Sequence, residues 1–211
     1  LDLIIRYCRL FGSSMHPRIN PDVLLLAWFC IMLILCACWC RGQQVLLDMG
    51  SYTVLYDSAL RVPVTADWLL IHTFLGNSRR EPSWRFIEDS RVPRPRATHQ
   101  DYSKSGFDRG HMCPAADRSA SRDLMRSTFI MTNVCPQAPA LNRGPWKKLE
   151  EACRAYARNG HDLRIVAEAV FWPADTMRIG RDSVAVPHGF VKTVRTWPAD
   201  SIIYARYFQN E

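Results

Sequence analysis

Four consecutive residues, Asp108-Arg109-Gly110-His111, bring together side chains that could hydrolyse a phosphodiester bond. An imidazole that titrates near neutral pH can take a proton from the water molecule that attacks phosphorus. The carboxylate of Asp108 could orient that imidazole or a nearby loop, and the guanidinium of Arg109 could hold a phosphate. Gly110 would let the backbone approach the scissile strand closely. A structural histidine has the same local pattern, so the tetrapeptide alone does not decide the function.

A second polar group lies on and just before a predicted helix over Pro145–Asn159. The proline suits the first helical position, and Gly160 suits the position just after the last one. Glu150 and Arg154 are four residues apart and therefore share one side of the helix, whereas Asn142 precedes it. Two structural alternatives stay open here. Asn142 could be a helix cap, and the other two could form an exposed ion pair of small energetic effect.

Elements that could position these residues follow from the hydropathy pattern. The apolar face of the helix is predicted to comprise Trp146, Leu149, Cys153 and Tyr156. Residues 76–106 are polar and proline-containing and predict a long loop, and residues 114–125 predict a polar connection. Runs rich in β-branched and aromatic residues predict strands at Ser51–Tyr56, Asp67–His72, Phe107–His111, Thr128–Asn133, Leu163–Val170, Phe190–Thr196 and Ile202–Phe208.

Three ordered motifs carry a resemblance to a known family. Residues 107–118 read Phe-Asp-Arg-Gly-His-Met-Cys-Pro-Ala-Ala-Asp-Arg, and residues 131–139 read Met-Thr-Asn-Val-Cys-Pro-Gln-Ala-Pro. Residues 141–154 follow with Leu-Asn-Arg-Gly-Pro-Trp-x-x-Leu-Glu-x-x-Cys-Arg. Together they closely resemble the DNA/RNA non-specific endonucleases, the ββα-metal or His-Me finger nucleases, over about residues 52–210. The resemblance implies an α+β fold, with a ββα-metal core on a central, mainly antiparallel sheet flanked by helices.

The resemblance also implies a catalytic role for several residues. His111 matches the general base that activates water, and Asn142 matches the single protein ligand of a Mg²⁺ ion, for which Mn²⁺ could substitute. Such sparse protein ligation suits Mg²⁺, which gives up its waters reluctantly. Glu150 matches an acidic residue that holds water of the metal's hydration shell. The implied products are oligonucleotides with 5′ phosphates and 3′ hydroxyls.

Other positions match residues that bind phosphate or support the site. Arg154 and Arg80 match arginines that stabilise the transition state. Arg80 is assigned from Leu-Gly-Asn-Ser-Arg-Arg at 75–80, in which Arg79 is a rival. Arg109 is expected to shape the site or contact phosphate, with Asp108 in support. Asn133 is expected to support the loop that carries Asn142.

Charge and composition are compatible with DNA and RNA as substrates. The formal net charge is +7, and 23 of the 27 basic residues are arginine, which grips phosphate oxygens with a planar fork. Codon bias of a GC-rich genome would also enrich arginine. Phosphate contacts carry affinity without sequence information, so we expect no sequence preference. The alternative is a catalytically impaired nucleic-acid-binding surface protein of the same fold. A membrane-anchored structural protein with an arginine-rich ectodomain would instead show no metal-dependent hydrolysis.

The first 42 residues are predicted to be a leader, followed by the nuclease domain over 43–211. Residues 23–40 contain no charged residue and could form a signal-peptide core or a marginal membrane anchor. Met15 could be the true start, and Leu-Cys-Ala-Cys at 35–38 resembles a bacterial lipobox with Cys38 as the lipidated residue. We therefore expect a secreted, periplasmic or membrane-anchored protein rather than a cytoplasmic one. Mass spectrometry of the mature N-terminus distinguishes these forms.

Three further expectations concern the body of the chain. One disulfide and one free thiol are possible among Cys113, Cys135 and Cys153. The sequence contains no Cys-x-x-Cys pair, so we expect no structural zinc site. Glu168 lies where the family usually has Gly-Pro, although it is remote in sequence from the catalytic motifs. Family members typically continue beyond the last residues seen here, so we expect either a compact variant or a truncated C-terminal segment.

Overall fold

A computed structural model describes residues 43–172 and 176–211 of the chain. The predicted leader, its apolar stretch at 23–40 and Cys38 lie outside the described residues, and those assignments stay predictions. Within the described ranges, no helix combines the length and the hydropathy needed to cross a membrane.

The described residues form one large antiparallel sheet and two small ones. The large sheet has the order β1-β2-β3-β6-β9-β10, and β4 pairs with β5 while β7 pairs with β8. The strands are β1 Gln44–Asp48, β2 Thr53–Asp57, β3 Val62–Leu70, β4 Asp108–His111, β5 Val134–Gln137, β6 Leu163–Val170, β7 Arg178–Ile179, β8 Val184–Ala185, β9 Gly189–Thr196 and β10 Ile202–Gln209.

The core follows from the alternation of side chains along the central strands. In β3, Trp68 and Leu70 are buried, and in β6 the buried residues include Leu163 and Ile165. Because successive residues of a strand point to opposite faces, each set lies on one side of the sheet. Burying a large aliphatic side chain contributes about 1.5–3 kcal/mol, so this face dominates the stability of the fold.

Among the residues that the structure describes, short helices and turns connect the strands. The α-helices are α1 Arg122–Ser127, α2 Pro139–Leu141 and α3 Lys147–Arg158, with a π-helical turn over Asn142–Trp146 between the last two. Four 3-10 turns lie at His72–Phe74, His99–Tyr102, Ala115–Arg118 and Met131–Asn133. The order β4, β5, α3 is a ββα unit, and the predicted α+β fold with a mainly antiparallel sheet is confirmed.

The predicted helix over Pro145–Asn159 is also confirmed in its main features. Gly144 has a non-helical backbone (φ −103°, ψ −114°), so the helical path breaks just before Pro145, and the regular α-helix begins at Lys147. Gly160 ends the helix with φ +88°, a conformation that glycine adopts without steric cost. Tyr156 is wrongly placed on the buried face: its side chain is 40% exposed and stacks on His161 at 4.1 Å between ring centroids.

Several predicted boundaries are wrong for identifiable reasons. The strand expected at Thr128–Asn133 instead follows that segment, at Val134–Gln137, because residues 131–133 form a 3-10 turn. Strand β5 contains Pro136, which is tolerated because β5 pairs only with β4 among the described residues and is an edge strand. The polar connection at 114–125 is partly helical, since the Ser121 hydroxyl accepts a hydrogen bond from the Leu124 amide and caps α1.

Two further expectations of the sequence are corrected by packing. Cys113, Cys135 and Cys153 are all buried free thiols, so the structure contains none of the disulfides that they would allow. A Cβ atom on Gly110 would lie 2.3 Å from the Oε1 atom of Gln137. This glycine is therefore required by the packing of β4 against β5 rather than by the approach of a substrate.

Candidate active site

One cavity of about 480 Å³ lies where β4, the turn before α3, and the long loop at 76–106 meet. Seven of the eight residues assigned from sequence line it, and the exception is Asn133. Its lining comprises Arg80, Phe86, His99, Asp108, Arg109, His111, Pro114, Ala115, Ala116, Asn142, Lys147, Glu150 and Arg154.

His111 ends strand β4 and is enclosed by two aromatic rings. Its ring centroid lies 4.9 Å from that of Phe86 and 5.0 Å from that of Phe129, which it meets edge-on. Burial lowers the pKa of His111, and the positive charge of Arg80 lowers it further, to about 4. The Nε2 atom is buried and has no hydrogen-bond partner among the described residues. At neutral pH the imidazole is therefore uncharged and able to accept a proton.

Asp108 connects strand β4 to the turn that carries Asn142. Its Oδ2 atom accepts hydrogen bonds from the Asn142 side-chain amide at 2.9 Å and from Arg143 Nε at 2.8 Å, and its Oδ1 atom accepts one from Arg143 Nη2 at 2.6 Å. Burial alone would raise the pKa of Asp108, but these hydrogen bonds and the charge of Arg143 lower it overall. Asp108 is thus an ionised acceptor that fixes the orientation of the Asn142 amide.

The orientation of Asn142 suits an oxygen ligand for a hard cation. Because its amide nitrogen donates to Asp108, its carbonyl oxygen has no donor among the residues that the structure describes. The helix-cap alternative is excluded, since the side chain makes no capping hydrogen bond. No three His, Cys, Asp or Glu side chains in the described ranges form a potential all-protein metal cage. A single amide oxygen beside open space fits Mg²⁺, which keeps most of its waters.

A chain of buried charges forms the wall of the cavity behind Glu150 and Arg154. Arg154 Nη1 donates to Asp117 Oδ1 at 2.8 Å and lies 4.0 Å from Glu150 Oε2. The other oxygen of Asp117 accepts a hydrogen bond from Trp68 Nε1 at 2.9 Å. Arg154 and Asp117 are 8% and 1% exposed, so the alternative of an exposed ion pair on the helix surface is excluded. Strand β3 and the 3-10 turn after His111 thereby hold the arginine in position.

Lys192, which the sequence-based analysis missed, completes this chain of charges from strand β9. Its Nζ atom donates to Glu150 Oε1 at 3.2 Å and lies 3.7 Å from the centroid of the Trp146 ring. Lysine is almost never fully buried unless it is paired, yet Lys192 is 1% exposed. The signal was present in the alternation Phe190, Lys192, Val194, which places the lysine on the apolar face of the strand.

Two opposing effects set the protonation of Glu150. Burial raises the pKa of Glu150, while the positive charge of Lys192 lowers it and the negative charge of Asp117 raises it. The net direction is upward. Lys192 is therefore the main group that favours the carboxylate form of Glu150.

The arginines of the long loop and of β4 occupy different parts of the cavity. Arg80 lines it, with its guanidinium 5.1 Å from the centroid of the Phe129 ring, whereas Arg79 does not. This placement favours Arg80 over its rival. Arg109 Nη2 donates to the backbone carbonyl of His99 at 2.7 Å and lies over the ring of Tyr102. Arg109 thus ties the loop to β4 as well as facing the cavity.

Asn133 has a different structural role from the one expected. Its Nδ2 atom donates to the carbonyls of Cys113 and Thr128, and its Oδ1 atom accepts from the Cys113 amide at 2.9 Å. None of these side-chain bonds reaches the turn that carries Asn142. Asn133 therefore supports the segment that follows His111, and the expectation that it supports the Asn142 loop is wrong.

The fold and this site define an α+β protein with a ββα-metal nuclease core. A family model described as DNA/RNA non-specific endonuclease matches residues 40–205, and the chain belongs to that family. The fold is also that of a crystal structure described as the EndoG/EndoGI complex, with a TM-score of 0.71 at 22% identity, covering 81% of this chain and 76% of that one.

Relatives of known name are similar over much of the described chain. Human mitochondrial endonuclease G is 36% identical over 164 residues, which is 72% of this chain and 55% of that protein. A nuclease of Nostoc sp. is 37% identical over 127 residues, 59% of this chain and 46% of its own length. Nuclease C1 of Cunninghamella echinulata is 34% identical over 164 residues, 70% of this chain and 64% of its own. The chain thus spans about half the length of such relatives.

The depressed pKa of His111 predicts a loss of stability in acid. The unfolded chain binds this proton at about pH 6.5 and the folded chain only at about pH 4, so acidification through that window favours unfolding. Wild type should lose up to about 3 kcal/mol more of its free energy of unfolding across this window than His111→Asn. Urea denaturation at several pH values measures the difference. Superimposable pH curves for the two proteins would show that His111 is not held neutral by burial.

The contact between Lys192 and Glu150 predicts a change in the titration of the carboxylate. Replacing the lysine by methionine keeps its length and removes its charge, so the pKa of Glu150 should rise above that in wild type. The side-chain ¹³C shift of Glu150 followed against pH measures it. Lys148→Met, at an exposed lysine of the helix that carries Glu150, is the matched control and should leave the titration of Glu150 unchanged. An unaltered Glu150 titration in Lys192→Met would refute the assigned coupling.

Proposed function

We propose that this protein is a Mg²⁺-dependent endonuclease that hydrolyses phosphodiester bonds of DNA and RNA without sequence preference. The observation that carries the proposal is the common cavity of His111 and Asn142, joined across β4 and the helix turn by Asp108. An uncharged imidazole and an uncommitted amide oxygen are the two groups that metal-assisted hydrolysis needs on opposite sides of a phosphate. Membership of the endonuclease family supports the same reaction.

His111 is proposed as the general base. A water molecule beside the imidazole loses a proton to it as the water oxygen attacks phosphorus. The bond from phosphorus to the 3′ oxygen breaks, and the departing oxygen takes up a proton from solvent water. A base works best when its pKa is near the operating pH. A phosphate that enters between Arg80 and His111 would offset the charge of the arginine and stabilise the imidazolium. Substrate binding thereby makes His111 a stronger base than it is in the free protein.

Asn142 and Glu150 are proposed to hold the cation and its water. The Asn142 carbonyl oxygen would be the one direct protein ligand, and the Glu150 carboxylate, whose ionised form Lys192 favours, would accept hydrogen bonds from water of the hydration shell. When bound there, Mg²⁺ supplies positive charge that stabilises the phosphorane and the departing 3′ oxygen. Mn²⁺, also an octahedral cation with oxygen ligands, is expected to substitute.

Arg80, Arg109 and Arg154 are proposed to bind the scissile phosphate and its neighbours. Arg154 is held by Asp117 and presents a guanidinium that costs little to orient at the moment of reaction. The residues that line the cavity are handlers of phosphate and metal, and contacts of that kind do not distinguish one base from another. The products would carry 5′ phosphates and 3′ hydroxyls.

Digestion of three substrates tests this function: supercoiled plasmid, circular single-stranded DNA and an RNA transcript. We expect the wild-type protein to cut all three with Mg²⁺ and none with EDTA, and His111→Ala to be at least about 100-fold slower. His72→Ala, at an exposed histidine away from the cavity, is the matched control and should keep wild-type activity.

Each opposite outcome has a definite meaning. Equal degradation by wild type and His111→Ala would refute the assignment of the general base. Folded wild-type protein that binds these substrates with Mg²⁺ but cuts none would instead support a catalytically impaired nucleic-acid-binding protein.

A further inference from the structure

We infer that the nucleic acid strand continues out of the cavity over a second binding surface, formed by Arg85, Arg122 and Arg126 and here termed the arginine surface. The inference rests on the proposed nuclease function and extends it from the scissile phosphate to the neighbouring ones. Arg85 belongs to the long loop and the other two to helix α1, so the surface joins two segments beside Arg80.

Two adjacent aromatic rings hold the guanidinium groups in place. Arg122 and Arg126 lie over the Trp84 ring, with 5.9 and 5.6 Å from each guanidinium carbon to the ring centroid. Trp84 meets Phe129 edge-on at 5.3 Å between centroids, and Phe129 carries Arg80 on its ring. An arginine stacked on a buried ring loses little further side-chain freedom when it binds a phosphate. The two neighbouring rings thus carry three cations, of which Arg80 lines the cavity.

Arg85 lies on the loop segment that helix α1 contacts. Arg126 Nη1 donates to the backbone carbonyl of Arg85 at 2.8 Å, which fixes helix α1 against the loop. Its own Nη1 atom donates to the Pro82 carbonyl at 2.9 Å, which holds the guanidinium against the loop. The next residue along the chain, Phe86, lines the cavity.

The charge of the surface remains largely uncompensated. Neither Arg85 nor Arg126 has a carboxylate within ion-pair distance among the described residues. Arg122 forms an ion pair with Glu81, and the two side chains are 67% and 40% exposed. Such an exposed ion pair contributes little free energy in water. Three arginines on two neighbouring segments, with one exposed carboxylate between them, fit a chain of phosphates.

Binding measurements on oligonucleotides of two lengths test the surface. The probes are labelled single strands of about 6 and about 24 nucleotides, the shorter being close to the size that one cavity holds. With EDTA present, Arg122→Gln/Arg126→Gln should raise the Kd of the longer strand about 10-fold. The factor by which the Kd of the shorter strand rises should be at least about 3-fold smaller. For the longer strand, the slope of log Kd against log salt concentration should fall by about 1.4, as expected for two lost phosphate contacts.

Two further proteins make the test specific. Arg158→Gln/Arg206→Gln removes the same charge from exposed positions away from the cavity and should leave both affinities near wild type. Arg85→Gln changes an exposed side chain that stacks on no ring among the described residues, so it tests the surface independently of the Trp84 stack. It should also weaken binding of the longer strand selectively.

The results that would overturn the inference differ from those that would overturn the nuclease. Equal losses for both lengths, or a loss no larger than in the control, would show that the strand does not cross the arginine surface. Cleavage of DNA by wild type in the same preparation keeps the proposed function intact in that case. A folded wild-type protein that binds neither strand would overturn both.

Discussion

The candidate site depends on one carboxylate. Asp108 accepts three hydrogen bonds, one from Asn142 and two from Arg143, and it stands three residues before His111 on the same strand. Charge-assisted hydrogen bonds of this kind are about twice as strong as neutral ones. They fix the distance between the strand that carries the base and the turn that carries the amide. Without them, the break in the helix at Gly144 would leave Asn142 free to turn away from the cavity.

The second constraint is the set of charges buried behind the site. Glu150, Arg154, Asp117 and Lys192 include two acids and two bases, each in contact with a partner of opposite charge. Burying charges is costly, and such networks seldom add stability relative to apolar packing. Their retention in the wall of a cavity is better explained by function, because a fixed pattern of charge needs no rearrangement during a reaction. The ring of Trp146 packs against the ammonium group of Lys192 and helps to hold it in place.

The local sequence was sufficient to predict those helices and strands whose own residues carry a clear pattern. The helix that carries Glu150 and Arg154 has clear end signals, and strand β4 has a recognisable motif. What could not be predicted are interactions between distant segments. Lys192 stands 42 residues after Glu150, and nothing in its neighbourhood announces that partner. Likewise the hydrogen-bond partners of Asn133 differ from the expected ones, because they depend on where the following strand begins.

The misplaced strand shows the same limit in terms of backbone structure. Thr128–Asn133 has the composition of a strand, yet residues 131–133 form a turn, in which the Asn133 side chain bonds three backbone groups. The strand proper contains a proline that propensity argues against and that an edge position permits. Composition therefore indicates which segments are rich in strand-forming residues but does not predict where each strand begins.

The most direct test of this account is the Mg²⁺ dependence of phosphodiester cleavage by Asn142→Ala. If Asp108 presents the Asn142 oxygen to the cation, the variant should need about 10- to 100-fold more Mg²⁺ for half-maximal activity than wild type. Asn159→Ala, at the exposed end of helix α3, should retain the wild-type requirement. A Mg²⁺ titration of Asn142→Ala that coincides with that of wild type would contradict the central claim.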